Sequence, residues 1–170
     1  MSKLKVEIGR DNPLLRGKSR VIRKIDKSIL KLVKDMEETM EVENGCGLAA
    51  PQVGQAIRLI VVKLNQSTDQ ELDMAMVNPE IIFRSEETYI DTEGCLSLPE
   101  YFDEVERNMD IIVKFMDLKG REQMLKLTEL NARVVQHEVD HLEGILFSDK
   151  VVDGVPEKLI EDQKERPKKI

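Results

Sequence analysis

The sequence predicts an α+β fold, and three observations carry that prediction. One segment places apolar residues at helical three-and-four spacing and a second carries helix start and stop signals, several short β-branched runs read as strands, and the two kinds come in blocks without βαβ alternation. Asp11-Asn12-Pro13 is a turn signal that opens a largely polar stretch to Lys24, read as loop. Asp26 is placed to cap a helix running to about Val42, whose apolar stripe is Ile29, Val33, Met36 and Met40. Glu37, Glu38 and Glu41 lie mostly off that stripe, and Asn44 or Gly45 supplies the stop.

After the glycine-rich segment 45–54, residues 57–64 form a β-branched run too short for a helix, which reads as a buried strand. Residues 74–77 and 80–83 flank Asn78-Pro79 and suggest short strands with a turn or edge between them. Residues 110–116 are another strand, and Lys119-Gly120 marks a hairpin turn before 123–127. Thr128 can cap a second helix from Glu129 to about Glu143, ended by Gly144.

The chain has 170 residues, which points to one domain able to bury roughly 70% of its unfolded surface. Its 26 Lys+Arg against 33 Asp+Glu give a net charge of −7, which argues against a nucleic-acid binder working by phosphate neutralisation. Two cysteines are no disulfide framework, no apolar run approaches a membrane span, and the start Met1-Ser2-Lys3-Leu4-Lys5 lacks a signal-peptide core. A soluble protein of the reducing cytoplasm is the expectation. Residues 151–170, with five acidic and five basic residues and with Pro156 and Pro167, form a short charged C-terminal tail behind a domain of 1–150.

The only two histidines, His137 and His141, sit four residues apart in Gln136-His137-Glu138-Val139-Asp140-His141. On a helix that spacing puts both imidazoles on one face, where they can hold one ion. Glu138 stands about 60° from His141 around the axis, so its carboxylate can flank the ion and reach a water without binding the ion itself. The pattern is H-E-x-x-H, a Lewis-acid metal with a carboxylate base. A catalytic site needs a third protein ligand, and Cys95, Cys46 and Glu143 are the candidates. Glu143 is turned off the metal face; spacing does not choose between the cysteines.

Two further segments stand out. Gly45-Cys46-Gly47-Leu48-Ala49-Ala50-Pro51-Gln52-Val53-Gly54 has small residues that let backbone approach a ligand, and Gln52 can donate an amide to a developing oxyanion. It matches neither a P-loop nor a Rossmann turn. Glu93-Gly94-Cys95-Leu96-Ser97-Leu98-Pro99 reads on its own as a strand end before a proline turn.

Taken together, the three segments closely resemble the bacterial-type peptide deformylases, whose G-x-G-x-A-A-x-Q, E-G-C-x-S and Q-H-E-x-D-H motifs are complete here at 45–52, 93–97 and 136–141. Pro13-x-Leu15-Arg16, Asn78-Pro79, Val105-x-Arg107 and Leu142-x-Gly144 extend the likeness over most of the chain. The resemblance implies small antiparallel or mixed β-sheets packed around a central metal-binding helix, with the amphipathic helix towards the N-terminus. It implies Cys95 as third ligand beside His137 and His141, Fe2+ as the ion, and Zn2+, Ni2+ or Co2+ as substitutes. Glu138 becomes general base and acid, and Gln52 with the Leu96 N–H stabilises the oxyanion. Cys46, Gly47, Glu93, Gly94, Leu130 and Val134 fall on the substrate side, Cys46 lining a methionine pocket.

The implied reaction is hydrolysis of the N-formyl group of formylmethionyl nascent polypeptides, with a metal-bound water attacking the formyl carbonyl and formate released. Nascent peptides are then the partner, with at most a weak ribosome contact through the tail, no direct nucleic-acid or membrane binding, and a monomeric chain. Arg107 and Asp140 match family positions without being ligands, and an ion pair between them would tie the strand beyond Cys95 to the metal helix. An H-E-x-x-H endopeptidase shares only the metal helix, and a structural-metal module would need a fourth protein ligand.

Overall fold

The computed structural model describes residues 3–153. Its first helix, α1 (Pro13–Arg16), is a single turn inside the stretch expected to be loop. Asn12 caps it by accepting from the Leu14 N–H, and proline at the first helical position needs no donor, so Asn-Pro here starts a turn of helix instead of a loop. Helix α2 (Lys27–Val42) begins at Asp26, whose carboxylate accepts from the Ser28 and Ile29 N–H groups. Its Val33, Met36 and Met40 are buried and Ile29 is partly buried, as the three-and-four spacing requires.

Strands β1 (Gly47–Ala49), β2 (Leu59–Leu64), β3 (Leu72–Arg84), β6 (Asp110–Met116) and β7 (Glu122–Thr128) form one antiparallel sheet in the order β1-β2-β3-β6-β7. Strands β4 (Thr88–Cys95) and β5 (Leu98–Asn108) form a separate antiparallel hairpin. The pairings between these named strands are all antiparallel, so "mixed" is narrowed; among the described residues parallel pairing occurs at one isolated bridge, Arg20 to Ile57.

Strand β3 departs from the expected pair of short strands. It is continuous through Asn78-Pro79, with a register shift between Val77 and Glu80. Asn78 takes a φ of 52°, which its short polar side chain tolerates, and its amide bonds the Ile22 N–H and carbonyl at 2.8 Å each. The proline therefore sits in a bulge, where its missing N–H breaks no ladder bond.

Helix α3 (Glu129–Leu142) lies against the inner face of the large sheet. Thr128 occupies its N-cap position, but its side chain makes no capping bond. Because side chains alternate along a strand, β2 sends Ile60, Val62 and Leu64 towards α3 and Leu59 and Val61 towards α2. Residues 59–62 are continuously apolar because both faces are covered there. Each fully buried Val or Ile there is worth about 1.5–3 kcal/mol of transfer free energy. A third cluster, with Leu15, Leu98, Val105, Leu146 and Phe147, packs the hairpin onto the end of α3 and encloses Cys95. Gly144 ends α3 with a φ of 73°, and a Cβ there would stand 2.4 Å from the Arg16 carbonyl oxygen, so a side chain is excluded twice over.

Candidate functional site

Helix α3 carries His137 and His141 one turn apart, and both are buried with ring centroids 5.0 Å apart. The hairpin brings the last residue of β4 to them: Cys95 Sγ lies 3.3 Å from His141 Nε2. Ligand atoms of Cys95, His137 and His141 all lie within 4.8 Å of one another, and this is the one such group among the described residues. Cys46 stands apart from it, its thiol donating to Gln66 Oε1 at 2.9 Å. Glu143 points away to Arg58 at 2.5 Å. Three-dimensional packing thus brings Cys95, and neither Cys46 nor Glu143, beside the two histidines.

The donor set fits a divalent transition metal. His137 Nδ1 lies 2.8 Å from a Glu93 carboxylate oxygen, and an ionised carboxylate only accepts, so the proton sits on Nδ1. The Nε2 lone pair is then free to ligate; that atom is buried and has no hydrogen-bond partner among the described residues. Two imidazoles and one thiolate make three protein ligands, the number of a catalytic centre. Burial and the nearby Glu138 carboxylate push the Cys95 thiol up to about 12, against hydrogen bonds from the Ser97 and Leu98 backbone. Burial, with the neighbouring His137, holds His141 well below the usual imidazole range, in its neutral ligating form.

Glu138 is fully buried, and neither carboxylate oxygen finds a partner among the described residues. Burial, reinforced by the Glu93 charge, raises its pKa well above the ordinary carboxylate value. Its carboxylate rests on Gly47, where a Cβ would stand 2.4 Å from Oε1. Only glycine leaves space for it. Gln52 is fully buried in the helical turn Ala50–Val53, and its Oε1 accepts from the Ala49 N–H at 2.8 Å. That contact points Nε2 to Ser97 Oγ at 3.2 Å and towards Cys95 Sγ at 3.5 Å. Leu96, in the turn between β4 and β5, is buried among the α2-side residues.

The expected substrate-side residues separate. Cys46 and Val134 share the cluster between α3 and the sheet, whereas Leu130, one turn earlier on α3, is 43% exposed. Gly94 is covered by the Phe102 ring, which a Cβ would meet at 2.4 Å. Glu93 requires a correction: it sits behind His137 and not on the substrate side. Its Oε1 takes Arg107 Nε at 2.9 Å and Arg133 Nη1 at 2.7 Å, and its Oε2 takes Arg107 Nη2 at 2.9 Å and His137 Nδ1. Burial would lift this carboxyl, but hydrogen bonds from Arg107 and His137 and the Arg107 charge outweigh it and hold Glu93 far below the carboxylate range.

Arg107 also reaches Asp140 at 2.5 Å, so the pair between hairpin and metal helix is present and part-buried. Asp140 in turn holds Lys150 at 2.8 Å. Sequence reasoning missed Arg133. One turn before His137 and fully buried, it donates to Glu93, to the Val105 carbonyl at 2.9 Å and to the Tyr89 carbonyl at 2.9 Å, with its guanidinium 4.3 Å from the Tyr89 ring centroid. The available signal was an arginine set among Ala132, Val134 and Val135 on a metal helix.

The comparisons with known proteins meet this geometry. Residues 6–156 match the family model of the polypeptide deformylases. The chain belongs to that family. The peptide deformylase of Pseudothermotoga lettingae is 42% identical over 154 residues, covering 88% of this chain and 86% of the relative. The crystal structure of peptide deformylase from Thermotoga maritima superposes with a TM-score of 0.84 at 38% identity, covering 89% of this chain and 99% of the other. The deformylase of Ehrlichia chaffeensis in complex with actinonin gives a TM-score of 0.84 at 35% identity, covering 97% and 100%. As a deformylase, the chain is an α+β metallohydrolase of protein synthesis, with its cluster of Cys95, His137 and His141 on the family's Q-H-E-x-D-H and E-G-C-x-S motifs.

Proposed function

We infer that this chain hydrolyses the N-formyl group of formylmethionyl nascent peptides, with Cys95, His137 and His141 holding the metal and Glu138 as general base and acid. The observation that carries the assignment is the juxtaposition of that ligand cluster with a buried, unpaired carboxylate one residue along the helix from His137. A divalent ion held there supplies Lewis-acid activation of water and carbonyl. Glu138 takes a proton from the attacking water as its oxygen bonds the formyl carbon. When the C–N bond breaks, Glu138 returns that proton to the leaving amine, and formate and a free amino terminus result. The raised pKa of Glu138 suits a group that must both accept and donate near neutral pH. The Gln52 amide and the Leu96 N–H hold the carbonyl oxygen as it gains charge. Cys46, Gly47, Gly94, Leu130 and Val134 contact the formylmethionyl end.

Fe2+ is the proposed ion; Zn2+, Ni2+ and Co2+ suit the same ligands. Arg107 and Asp140 orient the metal helix through Glu93 and the hairpin. A single catalytic domain over 1–150 and the charged tail 151–170 belong to the same reading, with residues 154–170 outside the described part. Val151 already bridges to Val105 on β5. Among the described residues no helix is long and apolar enough to cross a membrane. The proposed setting is the cytoplasm, with a monomeric chain, a weak ribosome contact and no direct nucleic-acid binding.

The test is formate release from a formyl-Met dipeptide by anaerobically purified protein whose metal content is measured on the same sample. One metal per chain and formate release are expected. A protein that holds its metal, releases no formate and cleaves an unblocked protein substrate instead refutes the assignment.

A further inference from the structure

We propose that residues 4–9 form a strap that fixes the spacing between the two oxyanion donors, making Glu7 and Gly9 positioning residues for the reaction. The proposal rests on the assignment of Gln52 and Leu96 given above and adds what holds them in register. The donors come from separate elements: Gln52 follows β1, and Leu96 lies in the turn between β4 and β5, beside Ser97. Gln52 and Ser97 are 45 residues apart in the chain. The strap crosses both. The Glu7 N–H donates to the Gln52 carbonyl at 2.7 Å, and the Gly9 N–H donates to the Ser97 carbonyl at 3.0 Å. In extended backbone, groups two residues apart face the same side, so one short segment reaches both loops.

The strap is itself anchored away from the site. The Leu4 N–H donates to Thr39 Oγ1 on α2 at 3.0 Å, and Lys3 pairs with Glu43 at 2.6 Å. Leu4 and Val6 pack on the cluster that holds Met36, Met40 and Leu96. At the other end, the Asn12 side-chain amide donates to the Ile8 carbonyl at 3.2 Å and to the Glu7 carboxylate at 3.3 Å. Gln52 is therefore held twice, by its main chain through the strap and by its side chain through Ala49 and Ser97. The side-chain contacts alone join the Gln52 loop to the Leu96 turn through one amide nitrogen, at 3.2 Å to Ser97 Oγ and 3.5 Å to Cys95 Sγ. The strap supplies a main-chain connection along an independent line.

The test compares Glu7→Pro, which removes the N–H, with Glu7→Ala, which keeps it. Formate release from a formyl-Met peptide by the metal-loaded enzyme gives kcat and KM, and metal content is measured alongside. Losing a whole oxyanion donor costs about 10²–10³ in kcat, so misalignment by Glu7→Pro is expected to cost about tenfold relative to Glu7→Ala, with KM and metal content unchanged. In a Gln52→Ala background the same proline should cost less than about twofold, because the two changes act through one group. Equal losses in both backgrounds mean a merely structural strap and overturn the proposal. If Glu7→Pro does not fold, Val6→Ala loosens the strap's packing and carries the same comparison, with about a threefold loss expected only where Gln52 is present. A Gln52→Ala enzyme with unchanged kcat refutes the donor assignment and the strap together. An impaired Gln52→Ala beside an unaffected Glu7→Pro overturns the strap alone.

Discussion

Replacing Arg133 by methionine tests whether the buried charge network behind His137 is structural bedrock. The guanidinium is fully buried and donates to Glu93 at 2.7 Å and to the carbonyls of Val105 and Tyr89 at 2.9 Å each. Methionine fills much of the volume but donates nothing, so one carboxylate loses a counter-charge, and the Tyr89 hydroxyl and the carbonyls of Tyr89, Asp91 and Val105 lose a donor. Breaking a buried ion pair from one side costs about 3–5 kcal/mol. Arg107 and His137 still hold Glu93, which places the expected loss near the lower figure, about 3 kcal/mol. For a chain of this size each kcal/mol moves Tm by about 2–4 °C, so Tm should fall by roughly 6–12 °C. Arg133→Lys keeps the charge without the fork and should fall between the two. Thermal unfolding of the metal-loaded proteins, followed by circular dichroism, reads the series. A methionine variant within about 1 kcal/mol of the parent would refute the reasoning, because it would mean Glu93 needs no second arginine.

Three more outcomes are expected. Glu138→Gln keeps the shape resting on Gly47 and should retain the metal, while kcat/KM for formate release drops about 10²–10⁴-fold. Cys95→Ser should shed or weaken the metal by elemental analysis under anaerobic handling, whereas Cys46→Ser should keep it; the opposite result would reassign the third ligand. Asp149 is held below the usual carboxylate range, chiefly by its hydrogen bond from Arg16. Its stabilisation is therefore present above the free carboxylate value and lost as pH falls through the lowered one. Asp149→Asn should lower Tm at neutral pH and converge with the parent in acid, and a constant gap across that range would contradict the pair's ionic character.

The legible parts of the fold were those in which local chemistry and tertiary demand agree. Asp26 caps α2 because its carboxylate serves the first helical N–H groups whatever packs above. Residues 110–116 alternate between one buried and one half-buried face, so their period survives in the sequence. The β4–β5 hairpin was not anticipated as two long strands. Residues such as Asp91, Glu93, Glu104 and Arg107 obscure its pattern, because two of these four charges, Glu93 and Arg107, are buried and paired with each other. The role of Glu93 is masked in the same way, because Arg107, Arg133 and His137, which hold it behind the metal cluster, come from other elements.

By itself, the sequence determined the two helices, the buried strand β2 and the i,i+4 histidine pair with its flanking glutamate. These depend on side-chain periodicity, which a chain carries wherever it folds. Tertiary structure alone decided that Cys95, and neither Cys46 nor Glu143, joins the histidines, that Arg133 and Arg107 converge on Glu93, and that residues 4–9 lie across Gln52 and Ser97. Each of those contacts joins positions far apart in sequence, and their distance is set by how the hairpin closes on α3. No local pattern encodes it.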